Sequence, residues 1–135
     1  MLQLTEDPEK ASAAVTFIDT TLVASDVSDS VRVGKYDKLF LTVFVSLVSG
    51  TTPSLVIDIE VSGNSAEWAH RHTVIDTATQ GSLTRLTVPT TEGKIKAAGT
   101  FMALVDGLVG DFVRLKWTIT GTSPSFRVTA RGYFK

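Results

Sequence analysis

Gly50–Leu55, with the sequence GTTPSL, returns later in the chain as Gly121–Phe126, with the sequence GTSPSF. Each copy of this phrase lies between two runs typical of β-strands. Gly tolerates the positive φ of a tight reversal, Pro fixes its own φ and lacks an N–H, and Ser or Thr can bond the turn backbone. We therefore predict that both copies are hairpin loops and that two parts of one β domain share this hairpin design.

Apolar and polar side chains alternate on both sides of these copies, as in strands with one buried face. The predicted buried faces are Leu55, Ile57, Ile59 and Val61 in one run, Val113, Leu115, Trp117 and Ile119 in the next, and Phe126, Val128 and Ala130 in the last. A hairpin closed by Gly121–Pro124 would place Trp117 opposite Val128, and would also place Arg114 opposite Arg131.

Shorter runs complete an all-β pattern. We predict further strands at residues 14–18, 30–33, 68–74, 83–88 and 101–105, with one helical turn at most at residues 94–98. Leu39–Val45 is apolar on both faces, which fits a covered central strand or a bulged one, and its register stays open. The pattern predicts an antiparallel β-sandwich of about eight or nine strands.

The N-terminal residues differ from the rest in composition. Met1–Lys10 contains Pro8 and several charged residues, and reads as an extended arm. We divide the chain into this arm, residues 1–13, and a single sandwich domain, residues 14–135. Two interpretations of the arm remain open, because it fits either a disordered terminus or a segment that docks on a neighbouring subunit through Leu2 and Leu4.

Composition restricts the protein class. The chain has 135 residues, of which 43% are hydrophobic and 20% charged, enough for one globular core. It has no Cys, which excludes disulfides and thiolate metal sites. A formal charge of −1 gives no overall attraction to nucleic acid or anionic membranes. We expect neither a secretory signal nor a transmembrane span, and hence synthesis in a cytoplasm.

Two longer segments carry a family resemblance. Gly110–Phe126 (GDFVRLKWTITGTSPSF) resembles a segment of small phage-encoded virion proteins, and Gly50–Val61 (GTTPSLVIDIEV) and Trp68 fit the same pattern. The resemblance leaves residues 1–30 without a counterpart. It implies a jelly-roll-like domain in a tailed-phage particle, or in a related prophage or gene-transfer particle, for example a capsid decoration protein.

Enzymatic and metal sites are weakly indicated. His70 and His72 have the spacing of two ligands on one strand face, and Asp76 or Glu67 could add a third, but a solvated polar face is the expected arrangement. No nucleophile elbow frames a Ser/His/Asp triad, and no Lys-Ser/Thr follows the glycines at 107 and 110. We predict a protein that is not an enzyme and has no cofactor and no metal.

A basic stripe is the main candidate for partner binding. In the hairpin register, Arg114, Lys116, Arg127 and Arg131 share one face. Opposed like charges destabilise a strand pair unless something compensates. Asp58 and Glu60 could neutralise the stripe, solvent could separate the charges, or the stripe could meet an acidic surface on a partner.

Two functions follow as hypotheses. The first is a structural protein of the virion, made in the host bacterial cytoplasm, which forms a homo-oligomer, a trimer ahead of a dimer. Its partners would be the major capsid protein or other virion components, with no direct nucleic acid and no membrane. The alternative is a jelly-roll carbohydrate-binding or adhesion module, whose candidate sugar-binding residues are Asn64, Glu67, Trp68 and Arg71.

Overall fold

A computed structural model describes residues 1–73 and 94–135 of the chain. The described residues form eight strands of one antiparallel sheet, which confirms the all-β, antiparallel part of the prediction. The strands are β1 (Thr5–Asp7), β2 (Ser12–Leu22), β3 (Asp26–Val27), β4 (Val31–Arg32), β5 (Lys38–Ser62), β6 (Ala69–Thr73), β7 (Gly99–Asp106) and β8 (Phe112–Phe134). The predicted strand at 83–88 lies outside the described residues. Residues 94–98 form no helical turn.

The two copies of the repeated phrase are not hairpin loops, so that prediction is wrong. Each copy lies in the middle of a long strand, Gly50–Ser54 in β5 and Gly121–Ser125 in β8. These strands pair along their whole length, from Leu39 opposite Phe134 to Ser62 opposite Phe112. Tight turns and β-bulges favour the same residue types, among them Gly and Ser. Here the segments on either side of each copy pair with the other long strand and not with each other.

The strand register changes accordingly. Trp117 lies opposite Ile57 and Asp26, not opposite Val128. Arg114 lies opposite Glu60, so the predicted opposition of Arg114 and Arg131 does not occur. The long strands place unlike charges across from one another where the hairpin register placed like charges.

The two copies pair with each other as facing bulges. Thr51 lies opposite Thr122, and the register shifts on both sides of this pair. Gly50 and Gly121 have φ values of 111° and 118°, in the region that favours glycine. A Cβ at Gly50 would lie 2.7 Å from the carbonyl oxygen of Ser123, and one at Gly121 would lie 2.9 Å from that of Thr52. The two glycines thus let the backbones of β5 and β8 approach each other closely, Gly50 on β5 and Gly121 on β8.

The sheet folds back on itself at these bulges. A straight strand from Asp37 to Ser62 would be about 80 Å long. However, the Leu108 amide donates to the Asp37 carbonyl at 2.7 Å and the Asp111 amide to the Ser62 carbonyl at 3.0 Å. Residues 108 and 111 can be at most about 10 Å apart, so the two ends of β5 lie close together.

Folding back divides the sheet into two halves. The first half contains β1, β2, β7, residues 38–48 of β5 and residues 126–134 of β8. The second half contains β3, β4, β6, residues 54–62 of β5 and residues 112–120 of β8. Both halves contribute to one hydrophobic core, whose largest fully buried side chains are Phe101, Phe126, Phe134, Leu39, Leu41, Leu55, Ile57, Ile59, Ile95, Leu115 and Val31.

The N-terminal arm lies on its own domain. β1 pairs with β2, with Thr5 opposite Ala14. The Leu2 amide donates to the Ser30 carbonyl at 2.7 Å, and the Tyr36 hydroxyl donates to Glu6 Oε1 at 3.1 Å. The arm therefore runs along the domain, and its strand β1 forms one edge of the sheet.

Candidate interaction surface

The structure separates the predicted basic stripe into two pairs. Arg114 and Lys116 lie in the second half of the sheet, whereas Arg127 and Arg131 lie in the first half. All four residues alternate with buried neighbours on β8, so their side chains point away from the core. The stripe is thus two separate outer-face positions rather than one continuous surface.

Arg114 is half-buried on the outer face and is paired there. Its Nε donates to Glu60 Oε1 at 2.8 Å, and its guanidinium lies 4.3 Å from the centre of the Trp68 ring. Glu60 is only 9% exposed, so this ion pair is largely shielded from water. Lys116, in contrast, is exposed and lies opposite Asp58 in the strand register. Of the two predicted acidic partners, Glu60 neutralises Arg114.

Arg127 is also paired, but at the surface. Its Nη2 donates to Asp19 Oδ1 at 2.7 Å, and its Nη1 donates to the Val128 carbonyl at 3.0 Å. This bond and the positive charge of Arg127 hold the pKa of the Asp19 carboxyl below its usual value. Arg131 contributes to the same electrostatic effect from further away, without bonding to Asp19.

Of the two arginines in the first half of the sheet, Arg131 is the more exposed. It is exposed, and no hydrogen bond or ion pair joins its guanidinium to another residue in ranges 1–73 and 94–135. Its direct cross-strand neighbours are Thr42 and Thr16, and aromatic residues occupy outward positions next to them. Phe44 is 49% exposed and Tyr133 45% exposed, and the Phe40 and Tyr133 rings lie 6.4 Å apart. We call Phe40, Phe44, Arg131 and Tyr133 the aromatic face.

Sequence reasoning missed the aromatic members of this face. The available signal was Leu39–Val45, which is apolar on both faces: its odd-numbered residues are buried, whereas Phe40 and Phe44 point outward. A bulge near Leu47 adds another outward apolar side chain, 64% exposed. A run that is apolar on both faces fits a central strand covered on both sides. Among the described residues, however, the outward face of this run is left exposed to solvent.

The arm candidates Leu2 and Leu4 pack partly against the core of their own chain. Beside them, Gln3, Thr5 and Thr16 line a groove of about 340 Å³. Arg131 and Tyr133 form another wall of this groove, which places it at the border of the aromatic face. The docked arm therefore helps to shape this surface.

The four candidate sugar-binding residues are mostly engaged in structural contacts. Asn64 Oδ1 accepts the amides of Ala66 and Glu67, both at 2.9 Å, and so closes a loop. Arg71 donates to the carbonyls of Asp106 and Gly107, joining β6 to the end of β7. Arg114 lies over the Trp68 ring. Glu67 is exposed, but the ring that would stack on a sugar is already in contact with a cation.

The histidine pair does not extend to a metal site within the described residues. His70 Nε2 lies 3.4 Å from Asp58 Oδ1, and Asp76 lies outside the described residues. No group of three His, Cys, Asp or Glu side chains in residues 1–73 and 94–135 is placed to hold a metal ion. The same residues contain no helix that could span a bilayer.

Comparisons with known proteins give a match in fold. No family model matches the sequence, and no curated protein matches it. The fold is similar to the crystal structure of the SPBc2 prophage-derived protein YomS, with a TM-score of 0.52 and 15% sequence identity. The similarity covers 91% of this chain and 91% of that chain. It shows a similar fold over most of the chain rather than a single shared motif.

Proposed function

We propose that this chain is a non-enzymatic structural protein of a phage or prophage-derived particle. The fold similarity to a prophage-derived protein across 91% of both chains is the observation on which the proposal rests. The resemblance of Gly110–Phe126 to small virion proteins points the same way. The finer form of the proposal is a capsid decoration protein with a jelly-roll-like connectivity, located in the virion.

A protein of this kind acts by binding, and an outer surface that suits a protein partner supports the proposal. Aromatic residues, Met and Arg are enriched at protein interfaces relative to other surfaces. The aromatic face has this composition, with Phe44 and Tyr133 about half exposed beside Arg131. Its proposed partners are the major capsid protein or other virion components, and the chain itself is proposed to be a homo-oligomer, a trimer ahead of a dimer.

The carbohydrate-binding alternative has less structural support. A sugar site needs an exposed aromatic ring with polar groups that are free to bind hydroxyls. Here Arg114 occupies one side of the Trp68 ring, and Asn64 and Arg71 bond backbone groups. A glycan that perturbs the Trp68 side chain in a glycan-array and NMR experiment would restore this alternative.

Mass spectrometry of purified particles tests the main proposal. Particles induced from the bacterium that carries the gene should contain this chain in a fixed ratio to the major capsid protein. Purified protein should also cosediment with particles from a deletion strain, because the vacant sites would be available. Particles that lack the chain, together with no cosedimentation at any salt concentration, would refute a structural role in the virion.

A further inference from the structure

We propose that the aromatic face is the docking surface for the particle, and that its partner is an apolar protein surface that presents a carboxylate to Arg131. This inference rests on the proposed function and specifies which surface performs it. The partner is a different protein of the particle rather than a second copy of this chain.

The strand register places Arg131 at the centre of the aromatic face. Phe40 lies opposite Tyr133, and Phe44 lies opposite Thr129, on the same pair of strands. Arg131 lies between these two rows, opposite Thr42 on one side and Thr16 on the other. Its charged group is thus bordered by aromatic rings on its own sheet face.

Half-buried Met102 and Leu104 extend the apolar surface. They are the outward residues of β7 and lie opposite Thr42 and Phe40. The apolar surface therefore continues from β8 across β5 to β7, with one cation within it. Interfaces commonly place Arg and aromatic side chains together in the part that becomes fully desolvated.

The charge of Arg131 identifies the chemistry of the partner. A cation that is covered without an opposite charge loses its hydration without compensation. Asp19, the carboxylate on which the charge of Arg131 acts, already accepts a 2.7 Å bond from Arg127. A surface that covers Arg131 must therefore bring its own carboxylate, to which a guanidinium can donate two parallel hydrogen bonds.

The same charge argues against a second copy as the partner. Packing this face on itself about a twofold axis would bring two Arg131 side chains toward each other. Each Asp19 is engaged by its own Arg127, so the carboxylate that interacts with Arg131 among the described residues would not be free to separate the two cations. Like charges across an interface disfavour association, whereas an acidic partner is attracted.

Cosedimentation with particles from the deletion strain tests this inference with matched variants. We expect R131Q to bind at least about tenfold more weakly than the wild type, because a charge-assisted contact is lost. F44S should weaken binding as well, through the apolar part of the face. K116Q is the control: it removes an exposed cation from the same strand but from the other half of the sheet.

Stability and salt measurements separate docking from folding. The three variants should melt within about 3 °C of the wild type, because surface substitutions rarely change stability by more than about 0.5 kcal/mol. Binding of the wild type should weaken with added salt, and the binding of R131Q should depend less on salt. Light scattering of R131Q should give the same oligomeric state as the wild type.

Each outcome decides between the two proposals. Wild-type protein that does not bind the particles refutes the proposed function, and with it this inference. Wild-type protein that binds while folded R131Q and F44S bind equally well refutes the aromatic face alone. Loss of binding in K116Q instead would move the docking surface to the second half of the sheet. A dimer that R131Q stabilises would show that a second copy occupies the face.

Discussion

Gly50 and Gly121 each lie against the backbone of the other long strand. Their positive φ values and the close approach of carbonyl oxygens leave no room for a Cβ. We expect Gly50→Ala and Gly121→Ala each to lower the free energy of unfolding by about 2 kcal/mol or more, because both strain and a backbone clash oppose the methyl group.

Gly63 provides the matched control for these substitutions. A Cβ there would have no atom within 4 Å, so Gly63→Ala should be close to neutral. Urea unfolding of the three variants gives the comparison. If all three variants have the same free energy of unfolding, the facing-bulge arrangement is contradicted. In two separate hairpin loops, neither glycine would contact the strand of the other, so the two destabilisations would have no common cause.

Tyr36 gives a prediction for alkaline pH. Burial, together with the hydrogen bond to Glu6, raises the pKa of its phenol above the usual value. The folded state therefore favours the neutral phenol, and this stabilisation is full below about pH 10 and is lost as pH rises further. Tyr36→Phe cannot ionise, so thermal unfolding should show a smaller loss of stability above pH 10 than in the wild type. If both proteins lose stability identically above pH 10, ionisation of Tyr36 does not contribute to the alkaline loss of stability.

At the scale of the strand, Trp117 joins β3 to β8. It is 8% exposed, lies opposite Asp26, and its Nε1 donates to the Ala24 carbonyl at 3.0 Å. Trp117→Ala should cost about 3–5 kcal/mol, because a large buried side chain is removed. Trp117→Phe keeps most of the apolar volume and should cost about 1 kcal/mol beyond the change in packing, for the lost hydrogen bond.

Denaturant unfolding measures both tryptophan variants, and hydrogen exchange shows where the effect lies. In Trp117→Phe the amides near Ser25 and Asp26 should exchange faster than in the wild type, since their anchor is lost. Unchanged exchange there, or a fully stable Trp117→Ala protein, would contradict the described packing of this side chain.

Alternation predicted which strand faces are buried, but it could not predict which strands pair. The inward positions of both long strands, such as Leu55 and Leu115, are buried as the period of two indicated. The phrase at Gly121 fits a tight reversal and a bulge equally well by local chemistry. The choice depends on whether β8 pairs with itself or with β5, which is a contact distant in sequence. The repetition of the phrase was misinterpreted as two copies of one hairpin design, whereas two paired strands that bend at the same level also need similar residues there.

The interaction surface was predictable only in part, for the same reason. Arg131 was named from its outward position, whereas its separation from Arg114 depends on the fold-back of the sheet. One of the two open interpretations placed Leu2 and Leu4 against a neighbouring subunit, and the pairing of β1 with β2 was not foreseen, although it brings both side chains against the core of their own domain. Local patterns indicate which side chains point outward, and tertiary pairing decides which of them meet.

For the whole molecule, we expect a closed homo-oligomer, a trimer ahead of a dimer. Several weak contacts that act together strengthen attachment to a symmetric shell. Multi-angle light scattering at concentrations well above the micromolar range should give a mass about three times that of the chain. A monomer under these conditions would contradict the oligomer and would leave single-site attachment through the aromatic face to be tested by itself.

The central position of β8 also determines when this protein can fold. Residues 126–134 pair with β2 on one side and with β5 on the other, and residues 112–120 complete the second half of the sheet. β8 follows all of these partners in the chain, so the ribosome makes them before the strand that joins them. Pairing partners this distant in sequence makes folding slow, since long loops must close first. Until residues 112–134 emerge, β2 and β5 expose unpaired edges, and a nascent chain stalled before this point would be prone to aggregation.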